Sequence, residues 1–161
     1  PHGGRLMANR RYRANSAAFS YAANTTKTLI LVDPPANRDL AITEWGVSAD
    51  GVTGAALALV VELCHVTVAT AGTSTAATPV QVRGKTATVG ASAAHSYTVE
   101  PTVVTVISSV YLSPNTPTLI VQLPLGGEIE SNVGEALAIR VTNPASGTTV
   151  NLRGYVEWEE R

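Results

Sequence analysis

Apolar and polar residues alternate with a period of two along much of this chain, the signature of β-strands with one face buried. The longest such segment is Ala56–Thr70. There Leu57, Leu59, Val61, Leu63, His65 and Thr67 alternate with Ala58, Val60, Glu62, Cys64, Val66 and Val68. In Leu40–Val47 one face carries Leu40, Ile42, Glu44 and Gly46, and the other Ala41, Thr43, Trp45 and Val47. At the C-terminal end Val150, Leu152, Gly154, Val156 and Trp158 point one way. Asn151, Arg153, Tyr155 and Glu157 point the other, so this strand sets one side against a core and the other against water or a polar partner. Shorter runs at Thr28–Val32, Val80–Arg83, Val103–Leu112, Thr118–Leu123, Gly126–Glu130 and Ala136–Thr142 add further strands.

Turn residues punctuate these runs. Asp33-Pro34-Pro35, Asp50-Gly51, Ser113-Pro114-Asn115, Pro124, Asn143-Pro144 and Ser146-Gly147 each end a strand. The short interval between Val103–Leu112 and Thr118–Leu123 predicts a hairpin. Ala71–Pro79 and Thr86–Ala94, made of small and hydroxyl residues, read as loops, the second of them flexible. The spacing predicts an all-β, antiparallel two-sheet sandwich or jelly roll of about eight to ten strands.

Composition reinforces the β assignment and narrows the rest. The 161 residues include 23 Ala, 20 Val and 20 Thr, with 14% charged and 5% aromatic residues. Low charge with many β-branched residues is the reverse of a disordered composition. Cys64 is the only cysteine, so a disulfide framework is excluded. No apolar run approaches 18 uncharged residues, and no membrane span is predicted.

The net charge of −1 conceals an asymmetry. Arg5, Arg10, Arg11 and Arg13 precede the first acid, Asp33, whereas residues 14–161 hold 7 basic and 12 acidic groups. The pattern predicts a basic N-terminal arm over residues 1–26, followed by one acidic sandwich domain over 27–161. Residues 1–6 precede Met7, a candidate natural start, and are set aside from the fold as leader residues. A near-neutral body does not bind nucleic acid by electrostatics, so any such contact would come through the basic arm. Arg10, Arg11, Tyr12 and Arg13 are the candidate partner-binding residues. On this reading, residues 8–20 can be removed with the sandwich still folded.

The search for chemistry turns up no catalytic constellation. His65 and Cys64 are adjacent in a strand and point to opposite faces, so they cannot share one metal. His65 reads as a half-buried strand residue, His95 as an exposed loop residue and Cys64 as a small buried apolar side chain. Glu157, Glu159 and Glu160 read as a solvated terminus, and Glu128 and Glu130 as solvated loop-edge charges. There is no nucleophile elbow, phosphate loop or zinc-binding helix motif, and Gly51-x-x-Gly54 is a turn. No metal, cofactor or enzymatic activity is predicted. A glycan site would need Trp45, Trp158, Tyr97, Tyr111 and Tyr155 to gather on one exposed patch.

Several stretches give the chain a resemblance to small virion proteins of tailed bacteriophages, in particular head-decoration (cement) proteins. They are Ile42-Thr43-Glu44-Trp45-Gly46-Val47-Ser48 with Asp50-Gly51, Val61-Glu62-Leu63, Tyr97-Thr98-Val99-Glu100-Pro101-Thr102, Val121-Gln122-Leu123-Pro124-Leu125-Gly126, Leu137-Ala138-Ile139-Arg140-Val141-Thr142 and Val150–Glu159. Together they span most of residues 40–160 and form a style of sequence rather than a defining motif. The resemblance implies a sandwich subunit, trimeric, lying on the outer surface of a capsid and clamping neighbouring major capsid proteins through its N-terminal arm. It carries over no catalytic residue. Other virion positions (capsid, tail or fibre) and a carbohydrate-binding module are the alternatives.

Overall fold

In a computed structural model, residues 10–50, 57–67, 73–84, 86–113, 115, 118–145 and 148–161 are described. They form β1 (Arg11–Asn15), β2 (Phe19–Tyr21), β3 (Thr25–Asp33), β4 (Leu40–Ala49), β5 (Leu59–Thr67), β6 (Thr75–Ala77) and β7 (Val80–Arg83). These are followed by β8 (Ser92–His95), β9 (Thr102–Leu112), β10 (Thr118–Gln122), β11 (Ile129–Ser131), β12 (Ala136–Asn143) and β13 (Val150–Glu160). All pairings are antiparallel. A seven-stranded sheet runs β10-β4-β13-β1-β7, with β11 also on β4 and β2 also on β13. A six-stranded sheet runs β6-β8-β3-β12-β5-β9. The two pack face to face, so the predicted all-β sandwich is the observed fold.

The core between the sheets follows from the alternation. Leu59, Val61 and Leu63 of β5, Leu137, Ile139 and Val141 of β12, and Ile30 and Val32 of β3 enter it from one sheet. Tyr12, Trp45, Val47, Leu152, Val156 and Trp158 enter from the other. Gly154 is required here: a Cβ would come within 2.6 Å of the Leu29 Cδ2 carbon from the facing sheet. In β4 the alternation breaks. Leu40 and Ile42 are buried in the same core as Trp45 and Val47, although strict period two sends them to opposite faces. The β4–β13 register slips between Glu157 and Trp158, leaving Thr43 as the extra residue of a bulge. The Thr43 hydroxyl donates to the Glu157 carbonyl at 3.3 Å, and Leu123 N donates to the Thr43 carbonyl at 2.9 Å.

The arm boundary is corrected. Residues 11–15 and 19–21 are strands of the seven-stranded sheet, and β1 lies between β13 and β7 with Tyr12 only 2% exposed. The sandwich therefore includes Arg11–Asn15 and Phe19–Tyr21, which lie ahead of residue 27, and removing residues 8–20 would take out an inner strand. Residues 1–9 lie outside the described residues. The strand count is 13 among the described residues because β2, β6, β8 and β11 are three or four residues long, too short to show a period.

The β9–β10 hairpin is not formed. β9 pairs with β5 and β10 with β4, in different sheets, so that Leu119 and Val121 cover the core opposite Ile107 and Val110. The loop expected over Thr86–Ala94 contains the start of β8, with Ala91 and Ala93 buried, and β6 lies within Ala71–Pro79. The regular part of Ala56–Thr70 is Leu59–Thr67, residues 56 and 68–70 lying outside the described residues. The predicted turns at Gly51–Gly54, Pro114 and Ser146-Gly147 also lie outside them.

Candidate functional site

The outer face of the seven-stranded sheet gathers most of the residues singled out by sequence. Alternation sends Arg11 and Arg13 of β1 outward, beside Glu159 and Glu157, their register partners on β13. On the other side of β13, Glu157 is the register partner of Glu44 on β4. Like charges directly opposite repel, and the Arg13 guanidinium resolves this by bridging both, at 2.7 Å to Glu157 Oε2 and 3.2 Å to Glu44 Oε1. Arg11 binds Glu157 Oε1 at 3.2 Å and Glu159 Oε1 at 3.3 Å. Tyr155 donates its hydroxyl to Glu44 Oε1 at 2.6 Å, and Gln122 of β10 donates to Glu44 Oε2 at 2.8 Å. The Tyr155 hydroxyl, with help from Gln122, Arg13 and Arg11, holds the Glu44 carboxyl below its usual range against the opposing effect of burial. Burial, and then the Glu44 carboxylate, raise the Tyr155 hydroxyl in turn. The Tyr155 ring lies over Gly46, where a Cβ would approach its Cε1 to 2.5 Å, and the Arg13 guanidinium sits 4.5 Å from the ring centroid.

The lattice extends to the sheet end. Arg161 reaches Glu130 at 2.5 Å, Glu128 at 3.5 Å and Glu159 at 3.8 Å. Glu160 accepts from Arg38 at 2.9 Å and from the backbone N–H groups of Gly90 and Ala91, both at 2.8 Å. The C-terminal acids are therefore not solvated. Glu157 is 6% and Glu159 3% exposed, and desolvated carboxylates of this kind persist because each has a guanidinium partner. Glu128 is likewise covered, while the Glu130 side chain remains largely in water and is paired with Arg161.

The four candidate partner-binding residues thus separate. Tyr12 is in the core, with its ring 6.1 Å from that of Trp158. Arg11 and Arg13 are engaged by this chain's own carboxylates. Arg10 is half-buried and has no ion pair among the described residues.

The same face contains a shallow groove of about 300 Å³, lined by Asn15, Ser48, Thr118, Leu119, Ile120, Arg153 and Tyr155 among others. A second depression beside it shares Ser48 and Arg153 and adds Asp50, which accepts from Asn151 at 2.7 Å. The alternation of β13 already placed Arg153 and Tyr155 outward; their convergence with Asn15 and Thr118 depends on the pairing of distant strands.

The remaining candidates are dispersed. Cys64 faces away from the main core, in a small outer cluster with Leu31, Val66, Ala136 and Ala138 roofed by Tyr97, and burial raises its thiol. His65 is register partner to Leu137 of the main core, so the two do face opposite ways, and its Nδ1 lies 3.7 Å from Glu135. His95 is not an exposed loop residue. It ends β8, is 8% exposed and contacts the Ser96 hydroxyl at 2.8 Å, and burial lowers its imidazole below the ordinary value. Trp45, Trp158 and Tyr97 are buried, and the exposed Tyr111 and the partly covered Tyr155 lie on different sheets, so these five aromatics make no common platform for a sugar. No group of three or more metal-ligating side chains occurs among the described residues, and no helix is long and apolar enough to cross a membrane. Comparison with protein-family models, curated proteins and solved structures finds no match to this chain.

Proposed function

We propose that this chain is a non-enzymatic structural subunit of a virion, of the head-decoration kind, which binds a capsid lattice from outside and stabilises it. The observation that supports this most is β9. It ends the six-stranded sheet, runs for 11 residues from Thr102 to Leu112, and carries no charged residue and no proline. A long, uncharged terminal strand offers its unpaired backbone groups to another chain unless it is blunted by charge or covered. Its pairing with β5 is interrupted by two bulges, which bend the strand. Val106 and Tyr111 project from it, 41% and 79% exposed, and Leu125 stands at a turn tip, 89% exposed. The fold meanwhile ties much of an already low charge into internal pairs, which leaves less charge to oppose association. A subunit that binds only the assembled lattice stabilises that lattice by mass action. Its self-association, a trimer by the resemblance, belongs to the same proposal.

The test is co-sedimentation of the purified full chain with heads assembled from the major capsid protein of the same phage. The chain is expected to pellet with heads and raise their melting temperature. Val106→Lys with Tyr111→Lys is expected to weaken binding at least tenfold while the circular dichroism melt of the free protein stays unchanged. A chain that remains in the supernatant overturns the proposal, and a double variant that pellets as well as the parent removes β9 from it.

A further inference from the structure

Three arginines project from the outer face of the seven-stranded sheet at β1 and β13, and they are not equivalent. Arg11 and Arg13 are each held by two carboxylates. Arg153, exposed and opposite Ser48 in the β4–β13 register, has no carboxylate partner among the described residues. It lines the groove instead, together with the Asn15 amide and the Ser48 and Thr118 hydroxyls, none of which has a side-chain hydrogen bond among the described residues.

We propose that this groove is a binding site for a carboxylate, presented by an acidic side chain on an extended segment of a protein partner. A guanidinium is donor-only and its planar fork matches the two oxygens of a carboxylate. Neighbouring hydroxyl and amide groups complete the shell of an acceptor-only ligand. The sheet itself uses this chemistry twice, at Arg11 and Arg13. A phosphate fits less well: Arg153 is the only cation lining the groove among the described residues, and Asp50 lines the adjoining depression and repels a second negative charge. A sugar acid fits less well too, because the neighbouring ring of Tyr155 already lies over Gly46 and carries Arg13. An extended peptide suits the rest of the lining. Ile120, which is 56% exposed on β10, offers the groove an apolar edge, and β10 is itself a terminal strand. Apolar residues flanking the acid would cover Ile120 while the acid reaches Arg153.

The site is tested without heads, so its fate is separate from that of the virion proposal. The ¹⁵N-labelled full chain is titrated with a blocked Thr-Val-Glu-Val-Thr peptide, with its Gln-for-Glu twin, and with N-acetylneuraminic acid. The Glu peptide is expected to shift the amides of Ser48, Leu119, Gly154 and Tyr155, and the Gln twin to bind at least tenfold more weakly. Arg153→Gln should weaken the Glu peptide at least tenfold, and Arg153→Lys, which keeps the charge and loses the fork, by less. Arg83→Gln makes the same change in net charge at an exposed arginine of β7 outside the groove, and should leave affinity unchanged. Absence of shifts, equal binding of the Gln twin, equal loss in Arg83→Gln, or tighter binding of the sugar acid overturns the proposal.

Discussion

On the outer face of the seven-stranded sheet, Glu157 and Glu159 are buried beneath Arg11 and Arg13; on the outer face of the six-stranded sheet, Cys64, Ala136 and Ala138 are buried beneath Tyr97. Both faces look away from the main core, and each excludes water by a different route. In the first, desolvated charges hold three strands, β1, β13 and β4, in one register, because each carboxylate needs the guanidinium that only the correct pairing brings to it. In the second, small side chains leave room for a loop to lie flat on the sheet. The loop is then fixed by polar contacts: Glu100 accepts the Thr28 backbone N–H at 2.7 Å, and Thr98 N donates to the Thr73 carbonyl at 3.1 Å. The apolar roof depends on packing volume, whereas the ionic lattice depends on charge and responds to salt and acid.

Removing the roof should have the larger effect. Tyr97→Ala is expected to destabilise the protein by about 3 kcal/mol, by lost burial and an opened cavity. It should also speed labelling of Cys64 by a thiol reagent at least tenfold, since the thiol is now covered. Unchanged labelling would mean that something other than Tyr97 protects Cys64. Glu157→Ala comes next, at about 2 kcal/mol in urea denaturation. That is below the ~3–5 kcal/mol of a fully buried pair, because Arg11 and Arg13 remain partly in water. A loss under ~0.5 kcal/mol would show that the lattice behaves as an ordinary surface pair. Gly46→Ala is expected to cost about 1 kcal/mol by displacing the Tyr155 ring from the sheet and loosening its bond to Glu44. A variant as stable as the parent would show that the ring moves aside freely.

Acid separates the two sheets most finely. Burial lowers the His95 imidazole below its ordinary 6.5. The unfolded chain therefore takes up that proton first, and the stability from His95 is full above pH 6.5 and falls as the pH drops below it. Glu44 is held below its ordinary 4.5, chiefly by Tyr155, so its contribution is full above pH 4.5 and is lost as the pH falls through its folded value. Asp33, raised above its ordinary 3.8 by burial, acts with the opposite sign in that lower window. The melting temperature should therefore begin to fall near pH 6.5 through the six-stranded sheet. His95→Gln should flatten this upper step, and the stability difference between the parent and Glu44→Gln should be constant above pH 4.5 and shrink only at lower pH. A difference between the parent and Glu44→Gln that changes between pH 7 and pH 5 would contradict the assignment.

What could be read from sequence was the local part. Period two in β5 and β13 placed core and outer faces correctly, including Cys64 opposite to His65 and Arg153 beside Tyr155 on the polar side, because successive side chains of a strand alternate whatever the strand pairs with. The same rule failed in β4, where a bulge at Thr43 resets the phase, and the bulge arises from pairing with β13 more than 100 residues away. It was silent on β1. Arg11-Tyr12-Arg13 looks like a basic arm when only its neighbours in sequence are considered, since nothing nearby neutralises it. Its carboxylates are Glu157 and Glu159, separated from it by 146 and 148 residues.

The sequence by itself thus determined the β-class and the faces of β5 and β13. The tertiary structure alone decided that the N-terminal basic run is an inner strand, that β9 and β10 part into different sheets, and that Arg11 and Arg13 are neutralised while Arg153 is not. Alternation is a property of one strand, whereas the partner of a charge is a property of which strands lie side by side.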